Sequence, residues 1–186
     1  MKSSRVERLE LISSRIRSSS LVLDIGSKDN KLKQFIPKNV TYYSIDKKPI
    51  KKNTIRGDAE NLPFKTGIFD YVVVSEVLEH LSNPGLCLKE VRRVMKNNAS
   101  VLITVPNANN FYFFIMAIFR KLIGDPDHVS LHTPKTIVTL LKRYDFKINE
   151  LFTVYFKKPK INNNSYILEC IFPMLCQNIF VRCKQS

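Results

Sequence analysis

Acidic residues are the minority of the ionisable groups in this chain, yet they fall at regular places. Asp24, Asp46 and Asp58 each close a short apolar or β-branched run, Ser75 and Glu76 close a fourth, and Pro106 and Asn107 close a fifth. A carboxylate at the end of a buried strand is costly unless it accepts hydrogen bonds from a ligand or from backbone N–H groups. The pattern therefore points to one polar crevice at the ends of several strands. His80 lies just beyond the fourth run. It could remove a proton from an oxygen or nitrogen nucleophile, or it could simply pack or cap within its turn. His128 and His132 are four residues apart, but the Thr133-Pro134 cap that follows puts them in a loop, so no metal pair is expected there. Either histidine could line an acceptor pocket.

The runs that carry these residues have the length and composition of strands: 21–23, 40–45, 54–57, 69–74 and 100–105, with 147–156 and 178–184 as a last pair. Tyr71-Val72-Val73-Val74 is the clearest, being continuously apolar and rich in β-branched side chains. Between them lie helical patterns. Residues 4–17 space Val6, Leu9, Leu11, Ile12 and Ile16 at helical intervals, and 30–36 can start a second helix. Pro84 behind Asn83 opens another, and Thr133-Pro134 caps one with Ile137, Leu140 and Leu141 inward. This alternation predicts a mostly parallel sheet covered on both faces, with its ligand at the carboxyl ends of the strands.

The chain has 186 residues, 44% of them hydrophobic, enough for one core despite a formal charge of +14 from 30 Lys plus Arg against 16 Asp plus Glu. The longest apolar stretch, 111–119, stops at Arg120 and is too short to span a membrane. It would be a buried helix, a lid over an apolar substrate, or a surface for a membrane or partner. No secretory pattern opens the chain, and the four cysteines form no CxxC pair, so a cytoplasmic protein with reduced thiols and no metal is expected. The densest basic run, Lys47, Lys48, Lys51, Lys52 and Arg56, could attract nucleic acid, anionic lipid or a phosphorylated substrate. It lacks the interleaved aromatics of a stacking platform and reads first as a solvated edge.

The ordered series Leu23-Asp24-Ile25-Gly26, Asp46, Gly57-Asp58-Ala59-Glu60-Asn61-Leu62-Pro63-Phe64, Phe69 to Val74 and Glu76-Val77-Leu78-Glu79-His80-Leu81 resembles the class I S-adenosylmethionine-dependent methyltransferases. Within them it is most similar to the type 11/12 small-molecule domain, over about residues 21–146. The resemblance implies an α/β fold: a Rossmann-like seven-stranded sheet, mostly parallel with one antiparallel strand, and helices on both faces. It implies a single domain over 1–186, with an N-terminal helix in 1–19 and an acceptor-side insertion or lid at 108–133. The expected cofactor is S-adenosyl-L-methionine, with S-adenosyl-L-homocysteine as product. Its binding residues would be Asp24, Gly26, Ser27, Lys28, Asp46, Lys47, Asp58, Ala59, Glu60, Ser75 and Glu76. Asp46 would accept the ribose hydroxyls, and Asp58 and the Ala59 N–H would meet the adenine. His80, Asn107, Tyr112 and His128 would face the acceptor, His80 as the catalytic base.

One departure stands out. The family places glycine where Lys28 and Asn30 stand, so of that loop only Gly26 remains. Lys28 would either crowd the cofactor or contact its carboxylate. The implied function is methyl transfer to a small acceptor, hydrophobic or anionic. Two rivals stay open: a methyltransferase-fold binding module with weak or lost catalysis, and an RNA-modifying or RNA-binding protein. The oligomeric state is not legible, and peripheral membrane contact stays open.

Overall fold

The computed structural model describes residues 4–110, 127–154 and 176–186. Seven strands form one sheet: β1 (Leu21–Ile25), β2 (Thr41–Asp46), β3 (Ile55–Arg56), β4 (Phe69–Ser75), β5 (Met95–Pro106), β6 (Phe146–Val154) and β7 (Asn178–Gln185). Their order is β3-β2-β1-β4-β5-β7-β6. Pairs among the first five strands are parallel, and β7 runs antiparallel to both of its neighbours. The chain builds outward from β1 to β3 and then returns to lay β4 on the other side of β1. That reversal opens a crevice beyond the carboxyl ends of β1 and β4.

The pleat sends alternate residues to two cores. Leu23, Ile25, Val72, Val74, Val101 and Ile103 pack beneath helices α2 (Pro84–Val94) and α3 (Pro134–Arg143). Val22, Val73, Leu102 and Phe180 face the other way, against Leu9 and Ile12 of α1 (Ser4–Ser13) and against Leu32 and Ile36. Because both faces are covered, the middle of a central strand such as Tyr71 to Val74 is apolar in successive positions rather than alternating.

The helix ends follow the residues that mark them. The Asn83 side chain accepts the Leu86 N–H at 3.2 Å, with Pro84 in the first turn. Thr133 and Thr136 form a reciprocal capping box at α3. Residues 30–36 give only a 3-10 turn, Lys31–Gln34. Pro37 disfavours helical backbone at Ile36 and cuts the segment short. Among the described residues no α-helix connects β2 to β3 or β3 to β4; both links are loops, and both border the crevice. Strand β5 starts at Met95, earlier than the apolar run at 100–105, because Met95 pairs with Phe69 across an irregularity in the β4 register. The apolar run 111–119, Tyr112 and most of the proposed 108–133 insertion lie outside the described residues.

Candidate active site

Four strand ends converge on a crevice of about 580 Å³, within the range of small-molecule sites. The turn after β1 contributes Gly26 and Lys28, and the turn after β2 contributes Asp46, Lys47 and Lys48. Asp58, Ala59 and Glu60 follow β3, while Glu76, Val77, His80 and Leu81 follow β4.

Gly26 has φ +73°, and a Cβ there would run into the Val77 side chain. The β1 and β4 turns therefore approach too closely for any side chain at this position, in a conformation L residues avoid. Lys28 and Asn30, standing where glycines were expected, also have positive φ, +48° and +58°. The loop thus keeps a glycine-like path without glycine. It is held by its neighbours: the Lys28 N–H donates to Asp46 Oδ2 at 2.9 Å, Asn30 Nδ2 donates to Asn53 at 2.9 Å, and Ser27 Oγ donates to Asn30 Oδ1 at 3.1 Å. From outside, Arg5 of α1 grips Asp29 with both guanidinium nitrogens, at 3.0 and 2.6 Å. These bonds offset a backbone strain of roughly 1–2 kcal/mol per left-handed residue.

Asp46 also accepts the Lys48 N–H, at 2.7 Å to Oδ1. Each carboxylate oxygen still has acceptor capacity for a hydroxyl. Asp58 accepts the Glu60 N–H at 3.0 Å and lies 3.5 Å from Lys47 Nζ. No described residue accepts the Ala59 N–H. Glu60 reaches across to accept the Asn83 N–H at 3.1 Å, tying this turn to α2.

Three of the sequence-derived residues lie beneath the crevice instead of on its wall. Asp24 is buried and accepts the Tyr42 hydroxyl; burial pushes its carboxyl up to about 7 against the lowering effect of that bond. Ser27 serves the loop as described, and Ser75 Oγ pairs with Thr104 Oγ1 at 2.9 Å. Asn107 is buried too: its Nδ2 donates to the Cys176 carbonyl at 2.9 Å and its Oδ1 accepts the Asn109 N–H at 3.1 Å, which fastens the end of β5. Glu76, at φ +55°, meets Arg8 of α1 at 3.1 Å and accepts from Asn178 Nδ2.

His80 and His128 come together, their ring centroids 4.7 Å apart. His132 is instead buried in the adjoining loop, 3.2 Å from Ser130 Oγ, and burial lowers its pKa. Sequence reasoning passed over Glu79 as a functional candidate, although it adjoins His80. It also passed over Arg5, Arg8 and Tyr42, whose partners are distant in sequence and have no local signal. Cys87 and Cys183 are free and buried, and burial pushes the Cys87 thiol up to about 12.

A sheet of this order with its crevice at the β1/β4 switch defines the class I methyltransferase fold. A family model described as a methyltransferase domain matches residues 3–151, and the chain belongs to that family. An uncharacterised protein of Methanocaldococcus jannaschii is 30% identical over 123 residues, 66% of this chain and 45% of that protein. The demethylmenaquinone methyltransferase of Staphylococcus haemolyticus is 35% identical over 80 residues, 38% of this chain and 34% of the enzyme. The chain thus spans about half or less of the length of these curated relatives. A SAM-dependent methyltransferase from Archaeoglobus fulgidus superposes with a TM-score of 0.72 at 16% identity, covering 98% of this chain and 95% of that one. S-adenosylmethionine is the cofactor expected of this fold. The donor set fits it: two acids at the ends of β2 and β3, an N–H without a partner at Ala59, and bare backbone at Gly26.

Proposed function

We propose that this chain is an S-adenosylmethionine-dependent methyltransferase with a small acceptor, hydrophobic or anionic. The observation that carries it is the delivery of Gly26, Asp46, Asp58-Ala59 and Glu76 by four strand ends into one crevice that also holds His80. The cofactor would supply a methyl group on a sulfonium, which needs positioning more than activation. Asp46 would accept the ribose hydroxyls. Asp58 would accept the adenine amine, and the Ala59 N–H would donate to a ring nitrogen. The Gly26 turn would hold the methionyl group, and the Lys28 ammonium would pair with its carboxylate. His80 stands where an oxygen or nitrogen acceptor would lose its proton.

Residues 1–186 form one methyltransferase domain in this proposal, with 108–133 on the acceptor side. The Staphylococcus relatives are named for demethylmenaquinone, and an apolar acceptor of that kind suits the run 111–119. The exposed lysines 47, 48, 51 and 52 suit an anionic one. Free buried thiols suit a reducing cytoplasm. No helix among the described residues is long and apolar enough to cross a membrane. The weak-binding rival loses ground because the loop keeps left-handed backbone at both positions that lack glycine.

The test is release of S-adenosylhomocysteine when the protein is given S-adenosylmethionine and separate pools of quinone precursors, small acids, lipids and RNA. Release with a small-molecule pool is expected. Release with RNA alone would replace the acceptor class, and no release with any pool would sink the enzymatic proposal. His80→Ala should lower the rate; unaltered turnover at every pH would remove His80 from proton transfer.

A further inference from the structure

Behind His80, on the crevice wall, lies a polar group that includes none of the proposed cofactor-binding residues. Glu79 is only 1% exposed, and neither of its carboxylate oxygens has a partner among the described residues. His128 Nδ1 is buried and likewise has no hydrogen-bond partner among the described residues. One ligand atom from each of Glu79, His80 and His128 lies within 4.8 Å of the others.

The grouping is built by the backbone. Glu79 and His80 sit on the 3-10 turn Leu78–His80. The segment carrying His128 is fastened to that turn, because the Val129 and Ser130 N–H groups both donate to the Glu79 carbonyl, at 2.8 and 3.1 Å. His80 Nδ1 lies 3.0 Å from the Asp127 carbonyl. With its N–H given to that oxygen, the ring keeps its lone pair on Nε2, as carbonyls behind metal-binding histidines commonly arrange.

Leaving a buried carboxylate and a buried ring nitrogen unsatisfied is expensive. Protonating Glu79 would still leave its O–H without an acceptor. Of the nearby charges, Arg8 meets Glu76 through one terminal guanidinium nitrogen and hydrogen-bonds neither Glu79 oxygen, and Glu76 also accepts from Asn178. A cation would satisfy all three groups at once. We propose that Glu79, His80 and His128 bind one divalent transition-metal cation, on a side-chain set that does not include His132. Two imidazole nitrogens and one carboxylate oxygen suit zinc, cobalt, manganese or ferrous iron better than calcium or magnesium, which favour oxygen-only sets.

Three protein ligands leave coordination positions open, and His80 lines the crevice. An acceptor hydroxyl bound there would become more acidic, so the cation rather than a free imidazole would promote loss of its proton. Only this catalytic consequence rests on the methyltransferase proposal; the cation site does not.

The experiment is calorimetric titration of chelator-treated protein with Zn²⁺, with visible absorption of the Co²⁺ form in parallel. One equivalent should bind with a dissociation constant on the order of micromolar or below. Cobalt should show d–d bands and no thiolate charge transfer. Glu79→Gln and His128→Ala should each weaken binding at least roughly tenfold. Asp58→Asn, in the crevice but outside the cluster, should leave it unchanged. Thermal melts and a separate S-adenosylmethionine titration of the same variants distinguish loss of the site from loss of the fold or of donor binding. Absence of saturable one-to-one binding, binding that survives both Glu79→Gln and His128→Ala, or a thiolate band placing the metal on a cysteine would overturn the proposal.

Discussion

Replacing Asp46 by asparagine separates its two tasks. In the free protein its oxygens accept the Lys28 and Lys48 N–H groups at 2.9 and 2.7 Å. An asparagine has one acceptor oxygen and one amino group, so in either orientation one of these N–H groups meets a donor. Losing one such bond at this half-exposed position should cost the fold about 1 kcal/mol, a drop of roughly 2–4 °C in Tm for a chain of this size. Binding should suffer more. A ribose hydroxyl donating to a carboxylate is a charge-assisted bond of about 1.5–3 kcal/mol, so the loss of one predicts roughly tenfold to a hundredfold weaker binding. Calorimetric titration with S-adenosylmethionine, paired with thermal melts of both proteins, reads the two effects separately. If Tm falls while affinity stays within about twofold, Asp46 only braces the loop and its ribose role is refuted.

Gly26→Ala should destabilise the protein by about 2–4 kcal/mol in urea unfolding, combining a left-handed alanine with overlap on Val77; a loss well under about 1 kcal/mol would mean the two turns separate easily. Lys28→Gly should change stability by less than about 1 kcal/mol, because relief of its left-handed strain is offset by glycine's larger unfolded-state entropy. The same variant should bind S-adenosylmethionine no more tightly than wild type, and a gain of roughly tenfold would show that Lys28 crowds the crevice. Asp24 has a folded pKa of about 7 against an ordinary 3.8, so the folded state binds the extra proton between those values. Its contribution is therefore greatest at low pH and is lost as pH rises towards 7. Chemical denaturation of Asp24→Asn across that window should show its stability rising relative to wild type as pH increases and levelling off above it. A difference independent of pH would contradict the buried, protonated carboxyl.

What could be read from the sequence was what short-range pattern encodes. Tyr71 to Val74 announces a strand by composition alone, and Asn83-Pro84 and Thr133-Pro134 announce helix starts because cap and cap partner lie within one turn. The acids at the ends of β2 and β3, Asp46 and Asp58, mark the crevice in the sequence because both stand on its wall. Pattern reading failed where distant contacts decide. Nothing local marks Arg5 as the clamp on Asp29, Tyr42 as the partner of Asp24, or Arg8 as the partner of Glu76. The missing glycines suggested a damaged loop, since residue type was the only guide to φ. In the structure Asp46, Asn53 and α1 hold Lys28 and Asn30 in the left-handed region instead. The Glu79-His80-His128 group escaped notice because the segments are joined by backbone bonds to the Glu79 carbonyl, which side-chain identity does not encode.

Calorimetric titration of the folded wild-type protein with S-adenosylmethionine tests the central claim most directly. One molecule should bind per chain, saturably, with affinity lowered in the Asp46→Asn variant. A protein that melts cooperatively yet shows no binding heat and no change in Tm at millimolar ligand would contradict the assignment of this crevice to the methyl donor.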